Sequence, residues 1–239
     1  MSNSKQYRHR VMVPPRQGTR PAGLDPGLLM PFRSTTVAEI SDLVGRPYTM
    51  DGGVRPLVRT QGVTVGFALT AKAWPGDNLA IHGGLSLAER DDVLVVDWHG
   101  YRGGGGSGSQ ALVLPGARGL AGVVVDGCWR DLVEVEAVGI PVFGRGEASF
   151  APAKREPGEI NVPVSCGGVV VEPGDVVVAG AGGVVVVPHR HVQEVGAALQ
   201  EHAAAVPPPG AVPLTDKQKS SALRAAYLEA FDARAGIRV

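Results

Sequence analysis

The chain has 239 residues, enough to bury a sizeable core as a single domain without disulfide or metal staples. Lys plus Arg and Asp plus Glu each number 23, so no net basic field advertises a nucleic-acid partner. The two cysteines, Cys128 and Cys166, lie far apart and outside any C-x-x-C pair, which argues against a disulfide framework or a cysteine zinc site and fits a reducing cytoplasm.

Residues 1–33 carry six basic side chains against one acidic one, with prolines interspersed, and predict an extended N-terminal arm. They lack the apolar stretch and small-residue cleavage site of a secretory signal. A domain over 34–202 follows. Thr36-Val37-Ala38-Glu39 is a capping-box pattern that starts a helix over 36–44, which Gly45 stops. A strand is expected over 63–71, a short helix over 78–87, and a strand over 92–97. The apolar run 122–126 predicts another strand, followed by a helix over 131–138, a Gly139 stop and a strand over 140–143. Three valine-rich strands complete the domain, over 168–171, 176–178 and 183–187; such continuous valine runs suit strands covered on both faces. Asp92-Val93-Leu94-Val95-Val96 and Asp175-Val176-Val177-Val178 form a short internal echo. The longest nearly uncharged run, 176–188, is too short and glycine-rich to span a membrane. Residues 203–215, with Pro207-Pro208-Pro209, predict a linker, and 216–239 a C-terminal helix with Leu223, Tyr227 and Phe231 on one face.

Two segments carry chemistry. The apolar strand ending at Asp126-Gly127 delivers Arg130 and Asp131 to its carboxyl end, where open α/β folds place ligands. Arg130 offers a planar fork of donors suited to a carboxylate, and Asp131 offers hard oxygens suited to Mg²⁺ or Mn²⁺. The same residues also fit a helix start, with Asp131 capping and Glu134 three residues on, and periodicity leaves both readings open. The other segment is 98–108. Its Gly103, Gly105 and Gly108 match G-x-G-x-x-G, but Pro115 and Gly116 interrupt the helix that a dinucleotide site needs. Either it is a mobile surface loop, or its glycines turn backbone N–H groups of Ser109, Gln110, Ala111 and Leu112 toward an anion. Trp98, His99 and Tyr101 are candidate pocket walls. His82, on the short helix, reads as a core or interface residue, and Cys128 as a small buried one.

These residues resemble the RraA-like family, which includes 4-hydroxy-4-methyl-2-oxoglutarate aldolases and a regulator of ribonuclease activity. The resemblance runs from about Thr36 to Pro188, through Gly76-Asp77-Asn78-Leu79-Ala80-Ile81-His82, Arg118-Gly119-Leu120-Ala121-Gly122, Arg130-Asp131-Leu132-Val133-Glu134 and Pro157-Gly158-Glu159-Ile160-Asn161. It implies an α/β fold, a swivelling β/β/α sandwich in one domain, assembled as a homotrimer or homohexamer with active sites between subunits. The aldolase signature falls on Gly108, Arg130, Asp131 and Glu134. By resemblance, Arg130 binds a small 2-oxo acid, Asp131 holds the divalent metal, and backbone N–H groups at 109–112 hold the oxo-acid end. The implied reaction is retro-aldol cleavage or decarboxylation through a pyruvate enolate, with no nucleic-acid or membrane partner.

The departures lie close to the chemistry. Family members often carry an acidic residue just after the loop glycine, where this chain has Ser109-Gln110, and an Asp-rich turn where it has Ala179-Gly180-Ala181-Gly182. The alternatives are a different metal-assisted reaction at the same Arg130/Asp131 site, or a non-catalytic binding or regulatory protein.

Overall fold

A computed structural model of the chain describes residues 14–205 and 227–230. Residues up to Leu199 make one compact unit, and a second begins at Gln200. Of the expected C-terminal elements, the linker and most of the 216–239 helix, with Leu223 and Phe231, lie outside the described residues; 227–230 is helical.

In chain order the elements are α1 (Met30–Arg33), α2 (Val37–Val44), β1 (Arg55–Pro56), β2 (Thr64–Lys72), α3 (Leu79–Leu87), β3 (Asp92–Gly105), α4 (Gln110–Arg118), β4 (Gly122–Trp129), α5 (Leu132–Val138), β5 (Val142–Gly144), β6 (Gly146–Glu147), β7 (Glu159–Ile160), β8 (Val164–Cys166), β9 (Val169–Val171), β10 (Val176–Gly180), β11 (Gly183–Val187) and α6 (Val192–Ala205). The main sheet runs β1-β5-β4-β3-β2-β10-β11, with β6 on β4 and β7 on β2, while β8 and β9 form a separate hairpin. Strands β2, β3, β4 and β5 are mutually parallel, and β10, β11 and β1 join antiparallel. An antiparallel bridge from Thr49 to Val185, and contact between β1 and β11, curl this mixed sheet toward a nearly closed barrel.

Strand alternation sorts the valines into layers. On β4, Val123 and Val125 face the helices α3, α4 and α5, whereas Val124 joins Val93, Val95 and the β8–β9 hairpin on the inner face. On β10 and β11, Val176, Val178, Val185 and Val187 face away from that inner layer, against Leu29, Phe32 and Ile40. Being covered on both sides is why these strands read as unbroken apolar runs.

The capping box at Thr36 is formed, with Glu39 N donating to Thr36 Oγ1 at 3.2 Å and Thr36 N donating to Glu39 Oε2 at 2.7 Å. Other expectations are corrected. The extended N-terminal arm turns helical over its last residues, Pro26–Leu29 and Met30–Arg33; there Leu29 and Phe32 are fully buried, and upstream Arg20 Nη1 grips both oxygens of buried Asp92 at 2.5 Å. Burial pushes the Asp92 carboxyl up despite that pairing, so the arginine offsets part of a desolvation cost. The strand expected over 92–97 runs on to Gly105, so much of the supposed glycine loop is extended and paired with β4 through two register shifts. The left-handed His99 and Gly100 absorb the first shift. Residues 110–118 form a helix with Pro115 inside it, contrary to the interruption read from sequence.

Candidate functional site

At the carboxyl ends of β3 and β4 the chain leaves the sheet as the Ser107–Ser109 turn and as Arg130-Asp131, and the two segments touch. Arg130 N donates to Ser107 O at 3.2 Å. Gly105 and Gly108 permit this approach: a Cβ on Gly105 would lie 2.6 Å from Arg130 Cβ, and one on Gly108 would lie 2.2 Å from Asp131 Oδ2. Close packing therefore requires a glycine at 105, where the backbone oxygen of Ala148 also lies 2.3 Å from such a Cβ, whereas at 108 a side chain would displace the Asp131 carboxylate.

Asp131 occupies the position before α5 with φ 56 and ψ 44, and its side chain makes no capping bond. The helix-cap reading is thereby overturned. An aspartate tolerates the left-handed region at modest cost, and here its carboxylate is left half-exposed beside Arg130 Nε at 3.3 Å. The first N–H of α5 instead points to Glu147 Oε1 at 3.5 Å.

Arg130 and Asp131 open onto a cleft of about 160 Å³, walled also by Asn78, His82, Gly108, Gln110 and Lys154. Burial first, and then the Lys154 charge, lower the His82 pKa from the ordinary histidine value. Asn78 is almost wholly buried; its Nδ2 donates to Gly106 O at 2.6 Å, while its Oδ1 has no partner. A buried acceptor left unpaired is costly unless a ligand or water meets it. The loop bearing Lys154 is held by Asp77, whose Oδ2 accepts from Arg155 N at 2.7 Å and Glu156 N at 3.1 Å, while its Oδ1 accepts from Leu79 N at 2.9 Å.

The sequence-predicted residues divide. Arg130, Asp131, Gly108, Gln110 and Ala111 line the cleft. Leu112 is fully buried and its N–H is spent on Ser109 O at 2.9 Å, so it offers nothing to an anion. Ser109 is buried at the start of α4. Glu134 is exposed on α5 and is absent from the cleft wall of a single chain. Trp98 is no pocket wall: it is fully buried, and its Nε1 donates to Trp74 O at 2.7 Å. Asp126, two residues along from Val124, shares its inward parity and joins Arg145 and Gly167 N beneath the sheet. Sequence reasoning missed Asn78 and Lys154 and placed His82 elsewhere. Helical spacing from Asn78 to His82 was the available signal, since i and i+4 share a face.

Among the described residues, no three His, Cys, Asp or Glu side chains converge on a metal position. A lone carboxylate suits Mg²⁺ or Mn²⁺, which keep several waters, and does not suit zinc, which needs three or four protein ligands. A roomier cavity of about 260 Å³ lies between Pro14, Pro15, Trp74 and Pro157. There His99 and Glu159 already face Asp97 and Arg16, and the chemistry converges less than in the cleft. No helix among the described residues is long and apolar enough to cross a membrane.

The sequence profile of the family described as "RraA-like: Aldolase/RraA" matches residues 35–186. A Halalkalibacterium halodurans protein named "Putative 4-hydroxy-4-methyl-2-oxoglutarate aldolase" is 37% identical over 164 residues, covering 69% of this chain and 78% of that protein. An uncharacterized protein of Methanocaldococcus jannaschii is 32% identical over 168 residues, with the same coverage of each. Among solved structures, Streptomyces coelicolor RraAS2, described as an unusual member of the RNase ES inhibitor RraA protein family, superposes with a TM-score of 0.67. It is 30% identical, and the match covers 78% of this chain and 96% of that one.

Proposed function

The chain belongs to the RraA-like family, and on that premise we propose that it is a carbon–carbon lyase that cleaves a small 2-oxo acid in the Arg130/Asp131 cleft. The observation that carries the reading is the pairing of a half-exposed guanidinium fork with a carboxylate that caps nothing, both lining a small cleft. Arg130 presents parallel N–H donors to the substrate carboxylate and fixes its orientation. The start of α4, whose Gln110 and Ala111 line the cleft, adds the positive end of a helix beside it. Lys154 supplies a second cation in the lining, and Asn78 Oδ1 accepts from a substrate or water O–H. Asp131 would hold Mg²⁺ or Mn²⁺, which supplies Lewis acidity toward the 2-oxo group. Glu134 lies one helical turn along α5, and its role would require a neighbouring subunit. Val113, Leu114 and Val133 are exposed on α4 and α5, Leu114 at 74% and Val133 at 81%; this apolar surface near the cleft supports a homotrimer or homohexamer with shared sites. The buried, unpaired thiols of Cys128 and Cys166 fit a reducing cytoplasm.

The test is pyruvate release from 4-hydroxy-4-methyl-2-oxoglutarate and from oxaloacetate, measured with Mg²⁺, with a chelator, and in Asp131→Ala. We expect chelation to abolish release and the substitution to lower kcat/KM by at least about a hundredfold, as for loss of an electrostatic group at a reacting centre. Release that ignores both treatments, or no release at all, would overturn the lyase reading. In the second case, binding of a macromolecular partner that survives Arg130→Ala would favour a regulatory protein.

A further inference from the structure

The reaction needs a proton acceptor, and Ser109-Gln110 supplies no carboxylate. In a retro-aldol cleavage the hydroxyl beyond the breaking bond must lose its proton as its carbon becomes a carbonyl. Of the groups walling the cleft, Arg130 and Lys154 are cations with no lone pair to offer, and Gln110, Ser107 and Asn78 do not titrate. Asp131 is engaged by Arg130. Among the described residues, one uncommitted base remains. His82 sits on α3 four residues after Asn78, so both side chains share the helix face turned to the cleft, and it lines that cleft together with Lys154. None of its hydrogen bonds involves the ring: His82 N donates to Asn78 O, and its carbonyl accepts from Ser86 Oγ.

We propose that His82 is the catalytic base of the cleft, taking the substrate hydroxyl proton; this rests on the lyase reading above. The step balances without any further reactant. The O–H proton moves to an imidazole nitrogen, and the O–H electron pair forms the new carbonyl. The carbon–carbon bond breaks, and its electron pair passes into the enolate of the 2-oxo acid. The imidazolium then gives its proton to water and water protonates that carbon, as it does after a decarboxylation, so both the ring and the product are neutral at these atoms again. Half-burial and the Lys154 charge keep the ring in the free-base form such a role requires near neutral pH. The charged groups facing it are Lys154 from the loop, Arg130 and Asp131 from the end of β4, and Arg118 from α4. Its own helix carries none.

Oxaloacetate separates this role from a structural one, because it loses CO₂ with no hydroxyl to deprotonate. In His82→Asn and His82→Gln, made in the full chain and assayed with Mg²⁺, cleavage of 4-hydroxy-4-methyl-2-oxoglutarate should fall by about a hundredfold to ten-thousandfold. Oxaloacetate decarboxylation should stay within about threefold and serves as the folding control. The wild-type kcat/KM for cleavage should rise with pH along an acid limb below the ordinary histidine value, and both variants should lose that limb. Independently of turnover, added pyruvate should move the His82 ring resonances while those of His99 and His191 stay in place. Equal loss with both substrates, no loss with either, or an unmoved His82 resonance would overturn the assignment. Wild-type protein that splits neither acid would instead remove the lyase reading, and this assignment with it.

Discussion

Strand β4 ends in two polar constellations only a few residues apart, and they are built on opposite logic. On the inner face, Asp126 accepts from Arg145 Nε and, at 2.9 Å, from Gly167 N, while the other guanidinium nitrogens of Arg145 reach Asp51 at 3.0 and 2.7 Å. The Asp51 and Asp126 bonds hold the Arg145 guanidinium above its ordinary pKa, and the Arg145 bond draws the Asp51 carboxyl below its own. Both Asp126 oxygens and all three guanidinium nitrogens of Arg145 are bonded within the chain. At the strand's end, among the described residues, Arg130 and Asp131 share one contact, Asn78 Oδ1 has none, and the His82 ring is free of hydrogen bonds. Buried polar groups normally pair off. A saturated cluster therefore reads as architecture, and an unsaturated one as a place prepared for something else.

The sharpest way to break that contrast is to cut one member from each cluster and compare stability. Asp126→Ala removes the partner of a mostly buried guanidinium and orphans Gly167 N. We expect about 3 kcal/mol of destabilisation by denaturant unfolding, the low end for a broken buried pair because Asp51 remains. Asp131→Ala should cost no more than about 1 kcal/mol, most of it the penalty of an alanine in the left-handed region, since its half-exposed carboxylate caps nothing. Equal losses in the two variants would erase the distinction.

A smaller effect sharpens the open side. Gly108→Ala would place a methyl group 2.2 Å from Asp131 Oδ2, so the carboxylate has to move. The backbone at Gly108 is not left-handed, so no conformational strain accompanies the change. A roughly tenfold fall in kcat/KM, with the unfolding midpoint nearly unchanged, is the expected result. Unaltered turnover would mean that the position of Asp131 does not matter.

The sequence made the layers legible because their cause is local: valine alternation and capping boxes act over a few residues. It also placed Arg130 and Asp131 together, since adjacency in the chain guarantees it. The echo of Asp92 and Asp175 proves to be a shared turn device, in which each carboxylate accepts from the backbone N–H three residues earlier, from Glu89 at 2.9 Å and Glu172 at 2.8 Å. What remained hidden depends on long-range geometry. Nothing near Lys154 in sequence indicates that Asp77 will pull its loop over the cleft, and a composition of glycines cannot show that β3 continues through 103–105 with bulges. The outcome at Asp131 turned on one dihedral angle, which periodicity does not encode.

Asp77 offers the mildest and most specific test, because it belongs to the saturated kind yet serves the open cleft. Burial pushes its carboxyl up, but the N–H donors of Leu79, Arg155 and Glu156, with the Lys154 charge, outweigh that and leave it below the ordinary value. A carboxyl lowered in the folded state contributes stability above its unfolded pKa of about 3.9, and that contribution is lost as pH falls through the folded value. Below about pH 4, hydrogen exchange at the Arg155 and Glu156 amides, corrected for intrinsic rates, should lose about 1 kcal/mol of protection. Asp77→Asn, which still accepts hydrogen bonds but does not ionise over this range, should show weaker protection with no such fall. If acid leaves the wild-type amides protected, Asp77 does not anchor the loop, and Lys154 must be brought to the cleft wall by other contacts.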